Sequence, residues 1–449
     1  MKISAGKAAL VGLLTTSALA VLPAQAQDEE SARKGVFSIG FGIDAGNNVD
    51  LSSDNTGADA KFSPHVGYDY TMKTGTTELT FGISANPEVV SGEKTRAQPK
   101  LNLSYAHVSP RTSLKFNASY QRSKVTDQSI GFDDSGVPFF YDGTGERGQA
   151  NVSAQLTGGI DMPLGYSLGL KHSETDYYNM VGTSQSPSTT DGVTFGLRAD
   201  LSSTRQLGLN FSHTLYDVDN ADQLERRSDS ASLRFDQRLN AVTSLGVSVG
   251  RSRVESDRLT GDKTTEGTTW GLSLSRETPL ATYALSYDRS INENGNRDEV
   301  SLARKAETKL GQFDGSVGLS RGEAGGTDVI ASLGYGVEMR RDRLDIDLSR
   351  AVSTDDDGND VLYTRFSGQY AHDLSEVNAI NLGLTASLTN SDTQDTTRVD
   401  GSIGYSHALT SDIDLSAGLR LGLSQRTGKP DADEQALFFT FNRRFETLR

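Results

Sequence analysis

From Gly35 onward the chain repeats runs of roughly ten residues in which apolar side chains occupy every second position, the period of a β-strand. Clear cases are Phe37, Ile39, Phe41 and Ile43; Leu114, Phe116, Ala118 and Tyr120; Val193, Phe195, Leu197, Ala199 and Leu201; and Ile380, Leu382, Leu384, Ala386 and Leu388. The opposite parity carries small or polar residues, such as Lys115, Asn117, Ser119 and Gln121, or Asn381, Gly383, Thr385 and Ser387. Counting weaker runs, the pattern predicts about 22 strands, within a range of about 18 to 22. Segments 298–306 and 313–321 have the faintest alternation.

The breaks between runs alternate in length. Short ones fall at 73–76, 109–112, 161–165, 202–205, 240–243, 277–281, 338–342 and 408–412. Longer ones fall at 45–60, 86–96, 123–147, 173–191, 217–225, 255–266, 291–299, 322–328, 354–360, 389–397 and 426–434. Such alternation is what a sheet crossing a bilayer requires, with turns on one side and loops on the other. A soluble sandwich would also alternate, burying its apolar parity against a second sheet. One uninterrupted series of hairpins favours closure, which removes every edge. The expected fold is therefore all-β: a transmembrane, antiparallel, up-and-down β-barrel. With the N-terminus in the periplasm, the short set is periplasmic and the long set extracellular, and an even strand count returns the C-terminus to the periplasm.

The first residues bear on the compartment. Lys2 and Lys7 precede an apolar run from Ala8 to Leu22, then Pro23 and the small-residue triplet Ala24-Gln25-Ala26. That is the layout of a cleaved secretory signal, so the expected organisation is a signal peptide over 1–26, a short periplasmic segment over 27–34 and an outer-membrane barrel of a Gram-negative bacterium over 35–449. There is no cysteine, so stability rests on strand pairing and not on disulfides. The hydrophobic fraction is 35%, and no later run is long enough for a spanning helix.

Charge adds a direction to this picture. The chain has 44 basic and 59 acidic residues, a net of −15; without Lys2 and Lys7 it is 42 − 59 = −17. Nucleic acid is thereby excluded as a partner. The eleven longer breaks hold 35 acidic and 9 basic residues, a net of −26, which concentrates negative charge on one rim.

Candidate chemistry is sparse. Residues of lumen parity include Arg198/Asp200 and Arg234/Asp236, and later Arg343, Asp345, Asp347, Arg365, Arg398/Asp400, Arg420 and Arg444. Charges inside a barrel either set which ions pass or brace the wall as cross-strand pairs, and the sequence leaves both open. On the outer parity, Arg122, His172, His213, Arg251, Arg289, Arg321 and Arg350 follow apolar residues at strand ends, where they cap an apolar band or meet lipopolysaccharide phosphates. Ser173 beside His172 and Ser212 beside His213 are the nearest approach to a nucleophile and base, but sequence neighbours on a strand point to opposite faces, so no enzyme activity is expected. Asp355-Asp356-Asp357-Gly358-Asn359-Asp360 is rich in oxygen ligands but lacks the spacing of a dedicated calcium loop, and no metal or cofactor is expected.

The longest break, 123–147, stands apart. Ile130, Phe132, Val137, Pro138, Phe139, Phe140 and Tyr141 make it too apolar for a freely solvated loop. It connects the fifth and sixth predicted strands, where general porins keep their constriction loop. Phe132, Asp133, Asp134, Phe139, Phe140, Tyr141 and Asp142 are therefore the candidate pore constriction. A cap on neighbouring loops or a subunit contact is the alternative.

The layout, with the opening Asp44-Ala45-Gly46-Asn47-Asn48-Val49 and the final strand Leu437 to Phe445, resembles the porin-like outer-membrane β-barrels of proteobacteria, including barrels found near exopolysaccharide export systems. The end departs from that pattern, because Glu446-Thr447-Leu448-Arg449 follow the aromatic Phe445. A count near 22 is shared with energy-coupled outer-membrane transporters; those carry a folded plug before the barrel, and residues 27–34 are too few for one. The resemblance implies a channel or export pore for small solutes or polysaccharide, with a closed-lumen structural or surface-binding barrel as the alternative. The implied partners are outer-membrane lipid, lipopolysaccharide and the barrel-assembly machinery.

Overall fold

The computed structural model describes residues 32–448 apart from 53–56, 91–96, 133–137, 142, 183–184, 221–222, 324–325, 355–358 and 392–394. Its strands form one closed, antiparallel, up-and-down barrel of 22 staves, from Ala32–Asn47 to Ala432–Leu448. The last strand pairs with the first from Gly35↔Leu448 to Asn47↔Gln435. Aromatic rings line this seam on the outside: Phe41 stacks on Phe441 at 5.5 Å, and Phe37 lies 6.1 Å from Phe445. The two faint segments are regular staves, Gly295–Glu307 and Gly311–Gly322, paired along their length.

Alternation builds the two faces. Cross-strand pairs such as Leu197↔Leu209 and Phe195↔Phe211 stack apolar side chains outward. No second sheet covers them: Leu285, Leu302 and Leu319 are each about half exposed, and the same holds all round the wall. A belt of this extent is untenable in water, so the outer face calls for lipid and the sandwich alternative is removed. Inward parity carries the polar set, as where Ser104 donates to Asn117 Oδ1 at 3.0 Å. Glycine on this face makes room for rings. A Cβ at Gly418 would stand 2.6 Å from Phe438 Cζ, and Phe438 lies across Gly404 as well.

The ends differ. At one, ten connections of two to five residues join the staves; at the other lie eleven, of which 126–142 is the longest. Several connections expected to be long are short, because the staves run on past the apolar belt. The breaks predicted at 173–191, 255–266 and 291–299 reduce to 183–187, 258–262 and 293–294. Beyond the lipid neither face needs to be apolar, so the ladder continues without the alternation that marks a strand in sequence.

Most buried side chains collect at the long-loop end, including Val49, Leu51, Val125, Tyr141, Leu224, Val254 and Val361. Lower in the wall, Lys100, Asn102 and Ser104 are exposed to the lumen. Among the described residues the barrel is therefore packed at one mouth and lined below it by exposed polar side chains.

Candidate functional site

The packed mouth is built around the connection between the fifth stave, Thr112–Val125, and the sixth, Gly143–Gly158. Its first turn is closed locally, with Ser129 Oγ accepting from the Thr126 amide at 2.9 Å and the Ser129 amide donating to Thr126 O at 2.9 Å. This presents Gln128, which has no exposed surface, to the far wall. Ser424 Oγ donates to Gln128 Oε1 at 2.6 Å, and Arg398 Nη1 donates to Gln128 O at 3.0 Å. Arg426 Nη1 donates to both Asp127 O and Tyr141 O, at 3.1 and 3.2 Å. These partners belong to the twentieth and twenty-first staves, Asp395–Thr410 and Ile413–Arg426, and all three side chains have lumen parity.

Past this tether the segment forms a small hairpin, Ile130–Phe132 against Pro138–Phe140. Phe132 meets Tyr363 edge-on at 5.3 Å, and Tyr141 meets Tyr177 at 6.0 Å. Tyr363 is on the eighteenth stave, Asp360–Ser375, and Tyr177 is on the seventh, Leu164–Gly182. Eleven steps separate those staves in either direction, half the circumference of the ring. The connection thus touches opposite walls and crosses the lumen.

The first connection folds inward beside it. Asn48 and Leu51 adopt positive φ of 51° and 47°, and the Asn48 side chain clasps Ser52 through Nδ2 to Ser52 O and Oδ1 from Ser52 N, both 2.9 Å. That turn buries Val49 and Leu51 and carries Asp50 to Lys124 of the fifth stave. Lys61 lies 3.7 Å from Asp44, 3.8 Å from Asp50 and 3.7 Å from Glu88, and Arg420 lies 3.4 Å from Asp44 and 3.6 Å from Glu434. In this partly desolvated setting opposite charges offset one another and hold the two inward connections to the wall.

Of the candidate constriction residues, Phe132, Phe139 and Tyr141 are in the crossing segment, and Tyr141 is almost fully buried. Phe140 contributes a backbone rung against Ile130. Asp133, Asp134 and Asp142 lie outside the described residues.

The lumen charges divide. Arg198 Nη2 donates to Gly159 O and Met162 O at 3.0 and 3.1 Å, tying down the turn between the sixth and seventh staves, with Asp200 3.6 Å away. Arg234 pairs with Asp236 at 2.8 Å, Arg398 with Asp400 at 2.9 Å and Arg444 with Asp414. Arg343, Asp345 and Asp347 line the wall without sharing one cluster with these, and Arg365 sits two residues from Tyr363 on the same face.

Sequence reasoning did not single out Gln128, Ser424, Arg426, Tyr177 or Tyr363. Ser424 and Arg426 continue the parity of Arg420 by steps of two, a usable signal had the stave been extended that far. Gln128 carries none.

On the outer face several of the strand-end cations are matched with acids, while Arg350 donates to Val329 O and Thr364 Oγ1 at 3.0 and 3.2 Å. His172 Nδ1 lies 2.7 Å from Asp191, His213 Nδ1 lies 2.7 Å from Asp229, Arg251 pairs with Glu266 at 2.8 Å and Arg289 with Asp298 at 2.7 Å. Ser173 faces the opposite way and donates to Asn151 Oδ1 at 2.8 Å, so the Ser173/His172 pair is separated by the wall. Asp355, Asp356, Asp357 and Gly358 lie outside the described residues; Asp360 is bound to Arg297.

The architecture is a closed 22-stave barrel with a polar lumen crossed by one of its own connections. The sequence matches no protein-family profile and no curated protein. Among solved structures it is similar in fold to the ferric-catecholate import receptor Fiu of E. coli K12, at 9% identity and TM-score 0.62, covering 94% of this chain and 82% of that one. It is likewise similar to the FrpB iron transporter of Neisseria meningitidis, at 10% identity and TM-score 0.60 over 93% and 83% of the two chains. The siderophore receptor PiuA of Acinetobacter baumannii matches at 9% identity and TM-score 0.57 over 93% and 82%. At these identities the likeness is one of fold.

Proposed function

We propose that this chain is an outer-membrane β-barrel that passes solutes across the outer membrane, and that the segment from Thr126 to Tyr141 is the constriction that decides what passes. The observation that carries this reading is the pair of contacts Phe132–Tyr363 and Tyr141–Tyr177, on walls half the ring apart. A ring of this size is about 40 Å across from strand spacing and tilt, too wide to discriminate between small solutes unless something fills it. The transporter barrels of similar fold are consistent with transport and offer no enzyme precedent.

In this reading residues 1–26 are a removed signal, 27–34 lie in the periplasm and 35–449 form the barrel. The turn end faces the periplasm and the acidic, long-loop end faces outward among lipopolysaccharide. The test is planar-bilayer conductance of the refolded protein. Wild-type barrel should give stepwise currents, and deletion of Phe132 to Asp142 should enlarge the step. A silent wild type with a silent deletion variant would replace the pore with a sealed barrel, the reading favoured by the full burial of Gln128.

A further inference from the structure

We infer that the cavity beneath the crossing segment is a binding site for a short acidic oligosaccharide, the solute class that the proposed pore would handle; the inference rests on that reading. The cavity has a volume of about 450 Å³, within the range of small-molecule sites. Its roof is Phe132 and Phe139, and its wall is the lumen face of the sixth to ninth staves.

Strand register arranges that wall in rows. Arg147 stands opposite Tyr177, Gln149 opposite Thr175, Asn151 opposite Ser173 and Ser153 opposite Lys171. Successive rows are two residues apart, so the ladder descends about 20 Å from Arg147 to Lys171. Between the two cations every rung is an amide or a hydroxyl, groups that both donate and accept. Ser173 already donates to Asn151 Oδ1, which leaves the Asn151 amide hydrogens to face a ligand.

Three features select the ligand. First, among the described residues the lining contains Arg147 and Lys171 but no carboxylate. Arg147 Nε is buried without a hydrogen-bond partner among the described residues, and Lys171 has no ion pair among them. The site therefore suits an anion. Second, the cations are too far apart to converge on one small anion such as phosphate, so the charge must be distributed along an extended molecule. Third, the rings of Phe132, Phe139, Tyr177 and Tyr216 offer flat apolar faces beside rows of hydroxyl and amide groups. A sugar ring presents the same division, with C–H groups on its faces and hydroxyls on its edge. An aromatic acid would use the rings but leave the Gln149–Thr175 and Asn151–Ser173 rungs without partners.

The test is equilibrium binding, by titration calorimetry, of trigalacturonate and of neutral maltotriose to the full chain in detergent. Binding needs no current, so its failure alongside normal conductance would reject the site while leaving the pore intact. The acidic trimer should bind at least tenfold more tightly than the neutral one. Lys171→Ala and Arg147→Ala should each weaken the acidic trimer at least fivefold without altering maltotriose, and Lys171→Arg should restore it. Heat-dependent gel mobility checks that each variant is folded. Equal affinity for the two sugars, no binding of either, or tighter binding of salicylate than of trigalacturonate would overturn the assignment.

Discussion

Replacing Arg426 by alanine should release the crossing segment from the wall. The buried guanidinium makes hydrogen bonds to Asp127 O and Tyr141 O, one on each arm of the connection, so this single side chain holds both ends of the hairpin. Hydrogen bonds from a charged donor contribute about 1.5–3 kcal/mol each. In the swung-out state both carbonyls regain water, so the lower figure applies and the pair is worth about 3 kcal/mol. At 1.4 kcal/mol per factor of ten, that shifts the ratio of swung-in to swung-out segment by about 150-fold. Arg398 and Ser424 still hold Gln128, so Arg426→Ala alone should give a barrel that fluctuates between the wild-type and the enlarged current. Adding Arg398→Ala should bring the current close to that of the Phe132–Asp142 deletion. Arg426→Lys should be intermediate, because an ammonium keeps the charge but sits on a shorter stem than the Nη1 that donates to both carbonyls. Single-channel dwell times in planar bilayers read the shift directly. If the deletion enlarges the current while the double variant stays at the wild-type level, the tether is not what holds the segment in place.

Three further outcomes test other parts of the account. Leu259→Cys, in an exposed long-loop connection, should react with a membrane-impermeant thiol reagent on intact cells, whereas Leu280→Cys, in an exposed turn, should not; the reverse pattern would invert the topology. At low ionic strength the reversal potential should report cation preference that fades with added salt, because the long breaks hold 35 acidic against 9 basic residues; anion preference would show that Arg365, Arg398 and Arg420 dominate. Leu285→Arg on the outer face should lower unfolding stability in liposomes by about 2–4 kcal/mol, while Asn102→Arg in the lumen should change it little; equal losses would contradict the assignment of faces.

Much of this architecture was legible in the chain because it depends on local chemistry. Alternation at Val193 to Leu201 or Ile380 to Leu388 dictates which side chains share a face, and in a bilayer the apolar face has only one place to go. Turn and loop alternation carried the topology, and the surplus of apolar residues in 123–147 marked the connection that crosses the lumen. The extent of the staves was not legible: past the lipid boundary no face is selected, so Lys263–Glu277 and Gly295–Glu307 begin in residues whose composition reads as loop. The path of the crossing segment was also decided only in three dimensions. Gln128 meets Arg398 and Ser424 across 270 and 296 residues of chain, and Asp127 meets Arg426 across 299. Those pairs exist because ring closure brings the last staves beside the first, within reach of a connection that starts at the fifth. Lumen charge was decided in the same way. Parity places Arg420 and Asp44 on the inner face, but only closure sets them 3.4 Å apart, so that wall-bracing pairs could be told from Lys171, which has no ion pair among the described residues, once the ring was complete.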